Sequence, residues 1–213
     1  MKPLRRYWIL LMALALILVA CGGDDDSKGG NPVAVNLTQS LTGEQEAMGS
    51  ITLHYQDGWV GDVQDSGTVV AATSQSVLER LGGLDPAAPT SGEGYVSAFV
   101  VGEQFYGMLG SDAIASPVDA VTSFVSVVAA TDGVEADFSE TEAFDAGGRA
   151  AAIAGGVVTE AGKDAYGVIY TMVAVEGGMG LITIATHRNE VNDYLDLARA
   201  MAVQFEFTPE GSF

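Results

Sequence analysis

The feature of this sequence that most constrains the fold is the run Tyr166–Val175, which is apolar on both faces of a predicted strand. One face carries Tyr166, Val168, Tyr170 and Met172, and the other carries Ile169, Val173 and Val175. An antiparallel strand with one solvated face alternates apolar and polar residues, and this run does not. The run therefore predicts a strand that is covered on both sides.

Two further apolar segments flank this run and complete a predicted meander of three antiparallel strands. "RAAAIAGGVVTE" precedes it and "MGLITIATH" follows it, with turns at "EAGKD" and Gly177-Gly178. The segment from about Asn189 to Phe205 then has the period of an amphipathic helix, which packs one apolar stripe on the sheet. The residues of that stripe are Val191, Tyr194, Leu195, Ala198, Ala202 and Phe205.

The first half of the chain predicts shorter elements of both types. "SITLHY" alternates, with Ile51, Leu53 and Tyr55 on one face, and the Asp57-Gly58 that follows is typical of a hairpin turn. "TVVAATS" and "GYVSAFVVG" predict strands, and "SVLERLGG" predicts a short helix between them. Segment 116–130 begins like a helix, with a serine cap followed by proline. Together the elements predict an α+β fold, an α/β/α sandwich with a central, mainly antiparallel sheet and helices on both faces.

The order of these elements resembles the PsbP-like fold, which is known from an extrinsic photosystem II protein and from many small bacterial lipoproteins. The early motif is Leu53-His54-Tyr55-Gln56-Asp57-Gly58-Trp59, in which Gln56 stands where proline is common. The last helix ends in Phe205-Glu206-Phe207. The resemblance covers about residues 49–208 and implies a sandwich without known catalysis and with a binding or assembly role. No residues here match a photosynthetic site.

The first twenty residues predict a secretory signal peptide. Lys2, Arg5 and Arg6 precede an apolar run of fourteen residues, 7–20. A membrane-spanning helix needs ~20 apolar residues, so the run is short for a permanent anchor. A positive head, a short apolar body and small residues at its end are the profile of an exported protein.

The apolar run ends in Leu18-Val19-Ala20-Cys21, which resembles the lipobox of bacterial lipoproteins. The resemblance implies cleavage between Ala20 and Cys21 and diacylation of the Cys21 thiol. Two or more acyl chains anchor a protein stably, because each buried methylene contributes ~0.8 kcal/mol. We therefore expect a protein that is lipid-anchored to the cell membrane and faces the extracytoplasmic side. An ordinary signal peptide, or a short membrane helix with a chance cysteine, is the alternative.

Cysteine count and charge limit what the mature protein can do. One cysteine cannot form an intramolecular disulfide, so the stability of the fold must come from its core. The chain has nine Lys+Arg and 28 Asp+Glu, and three of the bases lie in the signal peptide, which leaves 6 − 28 = −22. Nucleic acid is not an expected partner, because binding would need clustered Lys and Arg. Anionic headgroups would also repel the domain, so the acyl chains must hold it.

Composition divides the mature chain into two parts. Residues 21–47 are rich in Gly, Asp, Ser, Thr and Asn and predict a flexible tether, whereas residues 48–208 predict one globular domain. Asp24-Asp25-Asp26 does not start a calcium loop, because Lys28 and Val35 occupy positions where ligands should stand. This acidic run is interpreted as a solvated spacer.

No motif predicts a catalytic centre or a cofactor. The two histidines, His54 and His187, stand in no nucleophile pattern and are interpreted as surface or capping residues. Metal-ligand spacings and the phosphate-binding G-x-x-x-x-G-K-[ST] order are absent. Trp59 and Tyr55 are interpreted as core anchors, with a pocket lining as the alternative. One acidic stretch could hold calcium weakly but is interpreted as a solvated loop: Asp132, Glu135, Asp137, Glu140 and Glu142.

The sequence therefore predicts a membrane-anchored lipoprotein with a non-catalytic binding or assembly role and a protein partner that it does not identify. Two alternatives remain open at this point. One is an extracytoplasmic hydrolase with dispersed catalytic residues, and the other is an acidic cation-binding module.

Overall fold

The computed structural model describes residues 35–82, 88–102 and 116–210. The helices in these ranges are α1 (Gln75–Leu81), α2 (Pro117–Ala129) and α3 (Val191–Gln204). The strands are β1 (Leu37–Gln45), β2 (Gly49–Gln56), β3 (Val60–Val63), β4 (Val69–Ala72), β5 (Gly94–Val101), β6 (Val134–Phe138), β7 (Glu142–Asp145), β8 (Ala150–Glu160), β9 (Tyr166–Val175), β10 (Gly178–His187) and β11 (Glu206–Pro209).

Most of the described strands form one large antiparallel sheet. Its order is β3-β4-β5-β10-β9-β8-β6, and β7 also pairs with β8. β8, β9 and β10 are the predicted meander, in which Tyr170 lies opposite Thr183 on one side and Ala154 on the other. The prediction of a central antiparallel sheet, with strand β9 buried on both faces, is confirmed.

Helix α3 packs on one face of this sheet with the predicted stripe. Tyr194, Ala198 and Ala202 are buried as expected, and Leu197 and Met201, which the pattern analysis did not include, complete the stripe. Four glycines beneath or beside α3 let it approach closely: Gly94, Gly155, Gly167 and Gly180. A Cβ at Gly155 would lie 2.8 Å from Cγ1 of Val191, which is closer than packed carbons come.

A second sheet, with the order β1-β2-β11, lies on the same face as α3. Ile51, Leu53 and Tyr55 of β2 share one hydrophobic core with α3 and with the strands of the large sheet. The alternation of β2 was predicted correctly, but this small sheet was not. Its first and last strands, β1 and β11, come from opposite ends of the described chain. Their pairing with β2 therefore cannot be predicted from a local sequence pattern.

The small sheet corrects two expectations. The flexible tether predicted for residues 21–47 is wrong over Leu37–Gln45, because β1 pairs with β2 along almost its whole length. Asp57-Gly58 forms a turn but not a hairpin, because β2 pairs with β1 and β11 whereas β3 pairs with β4. The turn carries the chain from the small sheet to the large one.

The opposite face of the large sheet is covered by α1 and α2. Ser116 caps α2 as predicted, since its Oγ accepts a hydrogen bond from the Asp119 N–H at 3.2 Å. α2 packs over β8 and β9, and α1 packs over β4 and β5. Helices therefore lie on both faces, and the predicted α+β sandwich is confirmed.

In the part of the chain that the structure describes, no helix has both the length and the apolar character that a membrane crossing requires.

Candidate functional site

Several loops gather at one end of the large sheet, which we call the entry end because the described chain begins there. Register places them together, since Gly94 lies opposite Thr186 and His187 lies opposite Tyr166. The loops of the entry end are 57–59, 88–93, 130–133, 161–165 and 188–190. The opposite end, called the far end, holds the turns 46–48, 64–68 and 176–177.

The predicted lipidation site lies outside the described residues, so cleavage after Ala20 and acylation of Cys21 remain predictions. Two hydrogen bonds fix the chain at Asn36. The Asn36 N–H donates to Oε1 of Gln56 at 3.1 Å, and the Asn36 carbonyl accepts from the Asp57 N–H at 2.7 Å. These two bonds hold the chain at the entry end, 36 − 21 = 15 residues after Cys21.

The two histidines face opposite sides of the molecule. His54 is on the outer face of the small sheet, where its Nε2 lies 3.5 Å from Oε1 of Glu206. His187 ends β10, and its Nδ1 accepts a long hydrogen bond of 3.4 Å from the Asn189 N–H. His187 shares a strand face with Leu181, which packs under α2, so the two imidazoles cannot serve one site.

The acidic stretch does not converge. Glu135 and Asp137 point outward from β6, and Glu142 binds Arg199, with 2.8 Å between Oε2 and Nη2. Within residues 35–82, 88–102 and 116–210, no group of three or more His, Cys, Asp or Glu side chains is arranged to hold a metal ion.

A polar network at the entry end begins with Arg80 and Glu93. The Arg80 guanidinium pairs with the Glu93 carboxylate and also donates to the Ala88 carbonyl at 3.0 Å. The Thr90 N–H donates to the same carboxylate at 2.8 Å. Burial raises the pKa of Glu93, but the hydrogen bonds from Thr90 and the charge of Arg80 outweigh it and leave the pKa below its ordinary value.

Glu190 joins this network from the other side. It stands at the start of α3 and is largely buried, yet both carboxylate oxygens have partners. The Ser91 hydroxyl donates to Oε1 at 2.5 Å, and the Gly92 N–H lies 3.0 Å from each oxygen. The carboxylate thus fixes loop 88–93 against α3, with the Ser91 hydroxyl and the Gly92 N–H as its donors.

Tyr194 lies beneath the network, next to Trp59. Its ring centroid is 6.4 Å from that of Trp59. Burial, with the negative charge of Glu190 next in size, raises the pKa of Tyr194 to about 12. The phenol is therefore neutral at physiological pH and would act as a hydrogen-bond donor, not as a base. Trp59 and Tyr55 are both buried in the core, as interpreted from the sequence.

A second buried carboxylate, Glu160, lies on the face that carries α1 and α2. It is 5% exposed, and its Oε2 is 2.9 Å from Nζ of Lys163. Its Oε1 and the Tyr170 hydroxyl are buried without a hydrogen-bond partner among the described residues. Burial, reinforced by Tyr170 and Glu160, raises the pKa of Tyr166 beside them. These phenols are neutral at physiological pH.

Glu93, Glu160 and Glu190 were not among the residues predicted to be functional. Glu93 and Glu190 are 97 residues apart in the chain (190 − 93), and twenty-eight acidic residues offer no local reason to choose them. One signal was present, because Glu190 directly precedes the first apolar position of α3, where a carboxylate interacts favourably with a helix start.

No family model and no curated protein matches this sequence. Among solved structures, the chain is similar to cyanobacterial PsbP from Synechocystis, with 13% identity and a TM-score of 0.46 over 84% of this chain and 98% of that one. This chain is also similar to LpqN, which is involved in cell envelope biogenesis of Mycobacterium tuberculosis. The identity is 17% and the TM-score is 0.46, over 80% of this chain and 91% of that one.

A third similar structure, from Bacteroides thetaiotaomicron, has 10% identity and a TM-score of 0.47 over 83% of this chain and 50% of that one. Likenesses of this degree leave the function to be argued from the residues of this chain.

Proposed function

We propose that this protein is an extracytoplasmic lipoprotein, anchored by acyl chains on Cys21, whose domain has a non-catalytic binding or assembly role. The observation that carries the proposal is the tetrad Leu18-Val19-Ala20-Cys21, which ends an apolar segment preceded by three basic residues. Its cysteine is the only one in the chain, and a thioether-linked lipid needs a thiol at that place.

The dispersal of acid–base groups supports the non-catalytic part of the proposal. A general base must lie within hydrogen-bond reach of a reacting group and be oriented by a third residue. His54 and His187 face opposite sides, and the oxygens of Glu93 and Glu190 are engaged by arginine, backbone N–H and serine donors. Burial raises the pKa of Tyr194 to about 12, so this phenol is protonated at neutral pH and is not a base.

Anchoring gives a binding role a physical advantage. A tether confines the domain near the bilayer, so encounters with a partner at the same surface occur at a raised effective concentration. The tether in this proposal is shorter than the composition suggested, because the chain is already fixed at Asn36. The charge of −22 on the mature chain favours its solubility and leaves the lipid to supply the attachment.

Replacement of the acylated cysteine tests the proposal. In cells fed a radiolabelled or alkyne-tagged fatty acid, Cys21→Ser should abolish labelling and leave an uncleaved precursor. Ser27→Ala, a substitution nearby that leaves the tetrad intact, should be labelled and processed like the parent. Normal processing of Cys21→Ser, or a bare thiol on Cys21 of the parent protein by mass spectrometry, would contradict the lipoprotein assignment.

A further inference from the structure

The two ends of the large sheet lie at different distances along the chain from Cys21. β1 starts at the entry end with Leu37 and reaches the far end with Gln45, whose Oε1 accepts a hydrogen bond from the Val100 N–H at 2.7 Å. Val100 lies next to the end of β5. The small sheet therefore runs alongside the large one, and the chain that leads to Cys21 leaves from the entry end alone.

We infer that the entry end is the surface that the acylated protein turns toward the lipid headgroups, and that the far end points away from the bilayer. The inference rests on the proposed acylation of Cys21. The surface that contacts the entry end is therefore the headgroup layer of the anchoring membrane.

The length of chain before Asn36 supports this orientation. Fifteen residue steps separate Cys21 from Asn36 (36 − 21). A flexible tether of that length has an average reach of about 20 Å. Strand β9 has ten residues, which makes the sheet about 33 Å long. To bring the far end to the membrane, the tether would have to run back along the whole domain, beyond its average reach.

Charge at the entry end is compatible with closeness to headgroups. Glu93 is paired with Arg80 and Glu160 with Lys163, so two of its carboxylates carry their own counter-charges. Val35, at the point where the tether joins, is 45% exposed and gives this end an apolar side chain. Both ends carry exposed carboxylates, Asp57 and Asp132 at the entry end and Glu46 and Glu176 at the far end, so the orientation rests on the length of the tether and not on charge.

A labelling experiment in vesicles measures the orientation. Because Cys21 is the only cysteine and is acylated in the proposal, a second cysteine becomes the only thiol available to a fluorescent donor. Asp57→Cys places the donor at the entry end and Glu176→Cys places it at the far end. Both positions are exposed, and each substitution removes one carboxylate, so the pair is matched in charge.

The full-length acylated variants are reconstituted on phosphatidylcholine vesicles whose headgroups carry an acceptor dye. Energy transfer from position 57 should be about two-fold or more above that from position 176, given a sheet about 33 Å long. Asp132→Cys and Glu46→Cys repeat the comparison with a second charge-matched pair, in case one variant of the first fails to fold.

Two failures can be told apart. If the parent protein does not float with the vesicles, the proposed anchor fails and the orientation fails with it. If the protein floats but both positions transfer equally, or position 176 transfers more, the anchor stands and the orientation is overturned. Each labelled variant on vesicles without the acceptor dye sets the baseline.

Discussion

The two faces of the large sheet are packed in different ways. The face under α3 is built on glycines, so a helix and a second sheet approach its strands closely. The face under α1 and α2 carries the buried tyrosines Tyr95, Tyr166 and Tyr170, and it holds three of the four buried polar atoms that lack a hydrogen-bond partner among the described residues. Those three are the Tyr95 and Tyr170 hydroxyls and Oε1 of Glu160; the fourth, the Thr171 hydroxyl, lies on the α3 side.

Because of this difference, the contribution of close packing to stability can be measured separately from that of buried polar groups. Removal of atoms from the α3 face should cost much stability, because its residues have no space into which to relax. Removal of polar atoms from the other face should cost little, because a buried group without a partner is already unfavourable. Trp59 is the only tryptophan after the signal peptide, so its fluorescence reports unfolding in each experiment below.

Leu197→Ala should have the largest effect. Leu197 is completely buried between α3 and the sheet, so its truncation should lower the free energy of unfolding by about 4 kcal/mol. Leu78→Ala on α1 is the matched control and should cost about 2 kcal/mol, because Leu78 is 7% exposed on a helix of seven residues. Urea unfolding measures both. A loss for Leu78 as large as that for Leu197 would contradict the contrast between the faces.

Alkaline pH should act through three buried phenols on the opposite face and through two on the α3 side, where burial raises the pKa of Tyr55 and Tyr194. Burial raises the pKa of Tyr95, Tyr166 and Tyr170, so the folded state keeps protons that the unfolded chain releases near pH 10. Stability is therefore fully present below pH 10 and falls above it, by about 1.4 kcal/mol per pH unit for each such phenol.

The double variant Tyr95→Phe with Tyr170→Phe removes two of these three groups. Its stability at pH 7 should match that of the parent, and its alkaline slope should be smaller by roughly 3 kcal/mol per pH unit. Urea midpoints measured from pH 8 to pH 11.5 give the slope. An unchanged slope would mean that these phenols ionise in the folded state.

Gly180→Ala tests whether the glycines beneath α3 are needed for its close approach to the sheet. A Cβ at this position would clash with the ring of Phe205, which is 1% exposed and has no room to move. We expect a loss of about 2 kcal/mol. Phe205→Leu in the same chain should recover part of that loss, so the two substitutions should not be additive. Additive losses in this double-mutant cycle would rule out the predicted contact.

The local part of this architecture was predictable from the sequence, and the reason is physical. The apolar run 166–175, the serine cap before α2 and the stripe of α3 are short-range patterns, and each appears where predicted. β1 was missed because Thr and Ser alternate with few apolar residues there, and because its pairing with β2 is not visible in either segment alone.

The candidate site was less predictable than the fold. Loop 88–93 meets the start of α3 only after the sheet has formed, so the partners of Glu190 cannot be found by spacing. Glu160 is a mixed case, because its partner Lys163 is only three residues away, but its burial is not visible in its own segment. The Cys21 tetrad is the opposite case, because its meaning depends on four adjacent residues and no tertiary structure.

The smallest expected effect compares two hydroxyl groups, one with a partner and one without. Ser91→Ala removes the donor to Glu190 and leaves that carboxylate with one hydrogen bond fewer, which should cost about 1 kcal/mol. Tyr170→Phe removes a hydroxyl that has no partner among the described residues while the ring keeps its contact with Phe124, at 4.6 Å between centroids. That change should leave stability unaltered or raise it by a few tenths of a kcal/mol.

Urea unfolding at pH 7 distinguishes the effects of these two substitutions when the variants are measured side by side. If Tyr170→Phe destabilises the protein as much as Ser91→Ala does, the Tyr170 hydroxyl has a stabilising partner, and the contrast drawn between the two faces is wrong at that residue.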